Sequence, residues 1–295
     1  MTAATLRYFL LEAAATLAPR LPARPGYRAA ALVADAAYAT ARGTRRQMAR
    51  NLSVVLGTGT PPDRLRSLTR QAFRNLVWNY LELFRVAGRG LDELRSQAHI
   101  EGLEHLHAAA SRSRTGVIVV FGHVGTLEVF SQVTQLLPEY RFSVVVENMA
   151  DERMFRLFAR LRRSQGLELV RTDEPYRILR MLRAGCHMII AGDLDTTGTG
   201  ATVTFFGRPM RAPSGVGRLA LRTGAPVLVA TGWREDMGRP YRLRLRISPP
   251  LPLKGSSADP EDVHAAVQTV VSALEEQVAA RPEQWLAFRE VWVPQ

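Results

Sequence analysis

From about residue 115 onward, short β-branched runs alternate with stretches of helical periodicity, and no other feature restricts the fold as much. The runs are Val117–Phe121, Ser143–Glu147, Leu167–Arg171, Met188–Ala191, Val203–Phe206, Val227–Thr231 and Tyr241–Ile247. Between them, Thr126–Leu137, Asp151–Ser164, Pro175–Arg183 and Ser214–Arg222 read as helices, and Pro260–Ala280 reads as a late one. This order predicts an α/β fold with a mixed, largely parallel central sheet flanked by helices. YRLRLRI, ending at Ile247, alternates strictly and is expected at an edge or half exposed.

Residues 1 to about 110 read instead as a helical N-terminal region, membrane-proximal and packed on the same domain as an α/β core over 111–295. Arg28 to Ala41 is alanine-rich and periodic. Asp63 to Val86 carries Leu65, Leu68, Ala72, Leu76, Tyr80 and Leu83 on roughly one face, after a Pro61-Pro62 turn. The loop around Gly88 and Gly90 is the best internal boundary.

Charge narrows the partners. The formal net charge is +12, and Lys254 is the only lysine among 39 basic residues. Such an excess calls for an anionic partner, and arginine suits phosphate through its bidentate fork. Nucleic acid is not expected, because no reading-helix motif and no interleaving of aromatic with basic residues stands out. An anionic membrane surface fits better. No run of about 18 uncharged apolar residues exists to span a bilayer. Yet Leu6, Phe9, Leu10, Ala13 and Leu17 recur at helical spacing before Pro19, Pro22 and Pro25. That face either packs on its own domain or rests on a membrane. With one cysteine, Cys186, no internal disulfide forms and no cysteine-based zinc site is expected.

GHVGTLE, residues 122–128, follows the apolar run VIVVF. In open α/β sheets, sites gather at the carboxyl ends of strands. His123 and Glu128 would not share a face of one ideal helix, since five residues turn through about 500°. They meet only if His123 lies in the loop and Glu128 in the first helical turn, with Gly122 and Gly125 freeing the backbone. Glu128 would then hold one ring nitrogen, and the other would take a proton from a substrate hydroxyl. Alternatively, Glu128 simply offsets the helix dipole. A second acidic pair, Asp193 and Asp195 in AGDLDTTGTG, marks either a site, a cation or turn chemistry. No G-x-S-x-G, P-loop or H-E-x-x-H occurs. Gly215-Val-Gly217-Arg-Leu-Ala220 approaches a dinucleotide fingerprint, but GRPMRAPS separates it from the preceding strand. Its glycines are expected to permit close helix packing instead.

Taken together, these marks resemble the bacterial lipid A biosynthesis acyltransferase family, which includes the phosphatidylinositol mannoside acyltransferases. The resemblance spans roughly residues 45 to 292. It rests on the H-x4-D/E motif His123–Glu128, on Asp193-Leu-Asp195 followed by Phe205-Phe206-Gly207-Arg208-Pro209, on APSGVGRLALRTGAPVLV, and on RPEQWLAF. Arg162 resembles a family arginine on the helix after the second strand. The family often has an aromatic residue before the motif acid, where this chain has Leu127. RPMRAPSG looks closer to the mannoside acyltransferases.

The resemblance implies a peripheral enzyme on the cytoplasmic face of the membrane. It would move a fatty acyl group from acyl-CoA or acyl-carrier protein to a hydroxyl of a glycolipid acceptor, with no metal and no cofactor. His123 would be the general base and Glu128 its orienter. Arg162, Gly122 and Gly125 are candidates for holding the thioester oxyanion, and Asp193, Asp195, Phe205 and Phe206 are further substrate-binding candidates. The alternative is a non-catalytic lipid- or membrane-binding protein on the same fold.

Overall fold

The computed structural model describes residues 3–85, 90–147, 151–164, 166–195, 198, 200–237 and 242–293. Gly88, Tyr241, and Thr196, Thr197 and Thr199 of the threonine–glycine loop lie outside them. The N-terminal region is helical: α1 (Ala3–Leu17), α2 (Ala23–Thr40), α3 (Arg42–Leu56), α4 (Pro62–Arg85) and α5 (Leu91–Gln97). It also holds β1 (Ala98–Glu101), with α6 (Leu103–Arg112) following. Then come β2 (Ile118–Phe121), α7 (Leu127–Val133), β3 (Phe142–Val146), α8 (Glu152–Arg163), β4 (Glu168–Arg171), α9 (Pro175–Arg183) and β5 (His187–Ala191). β6 (Ala201–Phe205), β7 (Arg208–Ala212), α10 (Gly215–Thr223), β8 (Val227–Arg234), β9 (Leu243–Ile247) and α11 (Pro260–Ala280) complete the chain.

Local chemistry sets several boundaries. The Asp151 side chain accepts from the Arg153 backbone nitrogen and starts α8. Asp259 does the same for α11, with Pro260 at the first helical position. Each satisfies a donor that the helix leaves orphaned.

Seven strands form the expected mixed, largely parallel sheet, in the order β1-β9-β8-β2-β5-β3-β4. Every neighbouring pair is parallel except β8–β9. Ile118, Val120, Met188 and Val227 pack on one face against Ile178 of α9, Val216 of α10 and Leu274 of α11. Val119, Ile189 and Leu228 pack on the other against Leu106 and Ala109 of α6. Covered on both faces, the central strands are continuously apolar.

Of the two alternatives for β9 the half-exposed one holds, and two other readings need correction. The β9 strand is not the edge: β1 pairs with it, Ala98 beside Leu243 through Glu101 beside Arg246. Its strict alternation reports half-exposure instead, with Leu243, Leu245 and Ile247 buried. β1 itself carries a single β-branched residue, Ile100, so its pattern is faint, and it joins the N-terminal stretch to the main sheet. The Val203–Phe206 run belongs not to that sheet but to a separate hairpin, where β6 pairs antiparallel with β7. β7 is the segment RPMRA, whose proline is tolerated because a two-stranded hairpin is all edge. Gly217 does permit close packing, since a Cβ there would meet Val267 of α11 at 3.0 Å, while Gly215 faces open space. Finally, the buried face of α4 is wider than the one expected: Ala72 and Leu83 are buried and Leu65 and Leu68 pack on the core as read. Phe73, Asn75, Trp78, Asn79 and Glu82 point inward and Tyr80 is exposed.

Candidate active site

His123 stands just beyond the carboxyl end of β2, and Asp193 just beyond that of β5. Phe121 and Ala191 are register partners in the parallel β2–β5 pair, so two residues further each chain brings these side chains together. The Asp193 Oδ1 lies 2.7 Å from His123 Nδ1, and the His123 backbone N–H donates to Asp193 Oδ2 at 2.7 Å. Trp285 Nε1 donates to the same Oδ2 at 3.3 Å. Asp193 is fully buried, whereas the His123 side chain keeps 25% of its surface exposed.

Burial disfavours the charged form of each partner, and each charge outweighs that effect on the other. His123 is therefore raised above the ordinary imidazole value of 6.5, against its burial, chiefly by the Asp193 charge and hydrogen bond, with Glu147 adding to it. Asp193 is held below the usual carboxylate value despite burial by His123 and by the Trp285 donor. The arrangement presents an imidazole with Nδ1 bound to a carboxylate and Nε2 available as a base.

The carboxylate that orients His123 is thus Asp193, where the motif spacing pointed to Glu128. Glu128 sits in the first turn of α7, as expected, but accepts from Arg162 Nη2 of α8 at 2.7 Å. Both side chains are largely buried, 19% exposed for Arg162 and 10% for Glu128. Asp195, by contrast, accepts from the Gly200 backbone N–H at 2.9 Å and closes its own turn. Of the acidic pair, one member joins the histidine and the other does turn chemistry.

Gly125 has φ +73°, and a Cβ there would lie 1.9 Å from the Gly232 carbonyl oxygen, so only glycine fits. Its N–H is not available to an oxyanion, because it donates to the Gln284 carbonyl at 2.8 Å. The rest of the loop is committed in the same way. Val124 N donates to Gly122 O, Thr126 N to Gly232 O, and Leu127 N to Asn79 Oδ1. Gly122 is buried, and a Cβ would approach Asp193 Oδ2 at 3.4 Å, so it keeps room for that carboxylate.

Phe205 is fully buried among Trp285, Trp292 and Phe206, and its carbonyl accepts from Trp292 Nε1. Phe206 occupies the β6–β7 turn at φ +49° and is half-buried. Among the described residues, no hydrogen bond or ring contact joins either one to His123. One open cleft, of about 640 Å³, is lined by Arg50, Asn51, Arg208 and Trp292 among others, and His123 is not part of its lining.

Several residues were not found from spacing. Asn75 and Asn79 on α4 reach the Gly125 carbonyl, and Gln284 holds both Gly125 and Arg234. Two buried asparagines four apart on an amphipathic helix were the signal available. Gln284 and Trp285 were visible only as part of RPEQWLAF. Among the described residues, no group of three or more His, Cys, Asp or Glu is placed to hold a metal ion.

Comparison with known proteins finds relatives over most of the chain. Residues 2–293 match the family model for bacterial lipid A biosynthesis acyltransferases. The chain is 27% identical over 266 residues to a phosphatidylinositol mannoside acyltransferase of Mycolicibacterium smegmatis, covering 88% of this chain and 83% of that one. It is also 27% identical over 267 residues to the phosphatidylinositol mannoside acyltransferase of Mycobacterium tuberculosis, covering 88% and 80%. With nearly its whole length matched, the chain belongs to the bacterial lipid A biosynthesis acyltransferase family.

Proposed function

We propose that this protein transfers a fatty acyl group from a thioester of coenzyme A or acyl-carrier protein to a hydroxyl of a mannosylated phosphatidylinositol. The observation that carries the reading is the His123–Asp193 pair at adjoining strand ends, in a chain of this family. Asp193 keeps the Nδ1 proton of His123 in place and stabilises the imidazolium. Nε2 removes the proton of the acceptor hydroxyl as its oxygen attacks the thioester carbonyl carbon. The tetrahedral intermediate collapses, the C–S bond breaks, and the imidazolium returns its proton to the departing thiolate.

The developing oxyanion needs donors, and the 123–127 backbone has none to give. Gly122 and Arg162 are the candidates that remain. One Arg162 N–H group holds Glu128 and others are left for the substrate. None of these steps calls for a metal or a cofactor.

A peripheral seat on the cytoplasmic membrane face fits the surface. Tyr8, Leu11, Ala14 and Ala15 of α1 pack against the domain, while Leu6, Phe9, Leu10 and Leu17 on its other face are exposed. Leu32 and Val33 of α2 are 72% and 61% exposed, with Arg24 and Arg28 exposed on the same helix. No helix among the described residues is long and apolar enough to cross a membrane. Such an apolar and basic surface suits an anionic interface.

The test is to incubate purified protein with an acyl thioester and either mannosylated phosphatidylinositol or a lipid A precursor, and to read products by mass spectrometry. Acylation of the mannoside is expected. Acyl transfer to neither acceptor, or to the lipid A precursor alone, would overturn the reading.

A further inference from the structure

Helix α4 lies outside the sheet, yet two of its buried side chains end on the loop that presents His123. We infer that Asn79, with Asn75 behind it, is a positioning residue of the acyl-transfer site, clamping the main chain between His123 and Glu128. This rests on the acyl-transfer reading above.

The clamp grips the loop on both sides of Thr126. Asn79 Nδ2 donates to the Gly125 carbonyl at 2.7 Å, and Asn79 Oδ1 accepts from the Leu127 N–H at 2.8 Å. Leu127 opens α7, whose own N-cap residue, Thr126, supplies no side-chain hydrogen bond. Asn79 therefore caps α7 from a different helix, an arrangement that fixes where Glu128 starts. Asn75 Nδ2 takes the second lone pair of the Gly125 carbonyl, at 3.1 Å, and also donates to the Gln284 carbonyl at 2.9 Å.

The carboxamides are themselves held. The second Asn79 amide proton goes to the Asn75 carbonyl at 2.9 Å, and Asn75 Oδ1 accepts from Arg234 Nε at 2.8 Å. Arg234 is paired in turn with Glu82 of α4, both almost wholly buried, and Tyr27 of α2 donates to Glu82 at 2.7 Å. Every amide proton and carbonyl oxygen of the two asparagines has a partner, so the network has one arrangement to settle into.

The loop needs such support. Gly125 is in the left-handed region, so local preference does little to fix the chain there. A site built on loops is exact only where a packed, hydrogen-bonded shell holds it. Through Tyr27, Glu82, Arg234 and Asn75, the same network links α2, the helix that bears Leu32 and Val33, to the loop that α4 clamps.

The experiment compares wild-type protein with Asn79→Ala, Asn79→Ser and Leu52→Ala. Leu52 is a buried residue of α3 packed with Met48 and Ala72, and it serves as a control for lost stability. Turnover is measured per folded molecule, and the His123 ring is titrated by NMR. Asn79→Ala should lower kcat by about 10–100-fold with the donor KM changed by less than about twofold, and Asn79→Ser should fall between it and wild type. The His123 midpoint should fall, because a loosened loop weakens the Asp193 contact. Leu52→Ala should melt earlier but keep its kcat. If Asn79→Ala fails to fold, Asn79→Ser decides. Wild-type kcat and an unmoved His123 midpoint in the folded Asn79 variants would overturn the inference. A wild-type protein without transfer activity would sink the proposed function instead, and the titration alone would then test the clamp.

Discussion

Asp193 holds both the ring and the main chain of His123, with Oδ1 2.7 Å from Nδ1 and Oδ2 2.7 Å from the backbone nitrogen. A single buried carboxylate thus fixes the position and the tautomer of the proposed base. Asp193→Asn keeps the size and removes the charge, so the ring loses both its orienting acceptor and its imidazolium partner. Transfer should fall on the order of 10⁴-fold with the fold retained, as read by steady-state kinetics and circular dichroism. A loss of only a few-fold would assign Asp193 to structure.

The same contact sets the pH response. A base must be neutral to act, and His123 is raised above 6.5 by Asp193. The acid limb of kcat/KM should therefore have its midpoint above 6.5, with activity rising as pH increases through it. In stability the sign is opposite: the raised histidine contributes stability below 6.5 that is lost as pH climbs through its folded value. In Asp193→Asn, burial acts without the opposing charge, and the kinetic midpoint should move down. A midpoint that stays in place would show that Asp193 does not tune the base.

Glu128 and Arg162 form a largely buried pair between α7 and α8. Glu128→Gln and Arg162→Met should each cost about 1.5–3 kcal/mol of stability, the range for hydrogen bonds to charged groups. The double variant should be no worse than the worse single one, because each removes the same contact. Denaturant melts of the three proteins check this. If Arg162 also holds the oxyanion, Arg162→Met should lose more kcat than Glu128→Gln, and equal losses would argue against that role.

The strand–helix alternation made the sheet legible, because central parallel strands must be apolar throughout and helices between them amphipathic. The boundaries of α9 and α11 follow from Pro175 and Asp259-Pro260, where one residue's chemistry decides. The strand β1 was not legible, since Ala98 and His99 carry little strand signal and pairing with β9 makes the element. In the site, His123 was visible from its strand-end motif. Its partner was not, because Asp193 is 70 residues away and reaches it only through the β2–β5 register. Five-residue spacing drew attention to Glu128, but α7 turns that carboxylate toward Arg162. Asn79 was hidden for a similar reason, since its partner belongs to a loop 46 residues away.

On the outer surface, Phe9 and Leu10 of α1 are 56% and 62% exposed. Phe9→Glu/Leu10→Glu should bind anionic vesicles much more weakly while leaving the melting temperature within a degree or two, because surface changes cost within about 0.5 kcal/mol. Co-sedimentation with anionic and neutral lipid separates the apolar from the electrostatic share. Unchanged binding would mean that α1 does not meet the membrane.

Everything proposed for the chemistry turns on His123 removing the acceptor proton. The most direct measurement is the turnover of purified His123→Ala with an acyl thioester and mannosylated phosphatidylinositol, beside the wild type and with folding verified. A loss on the order of 10²–10⁴-fold is expected, the contribution of a positioned general base. Turnover close to wild type in the folded variant would contradict it.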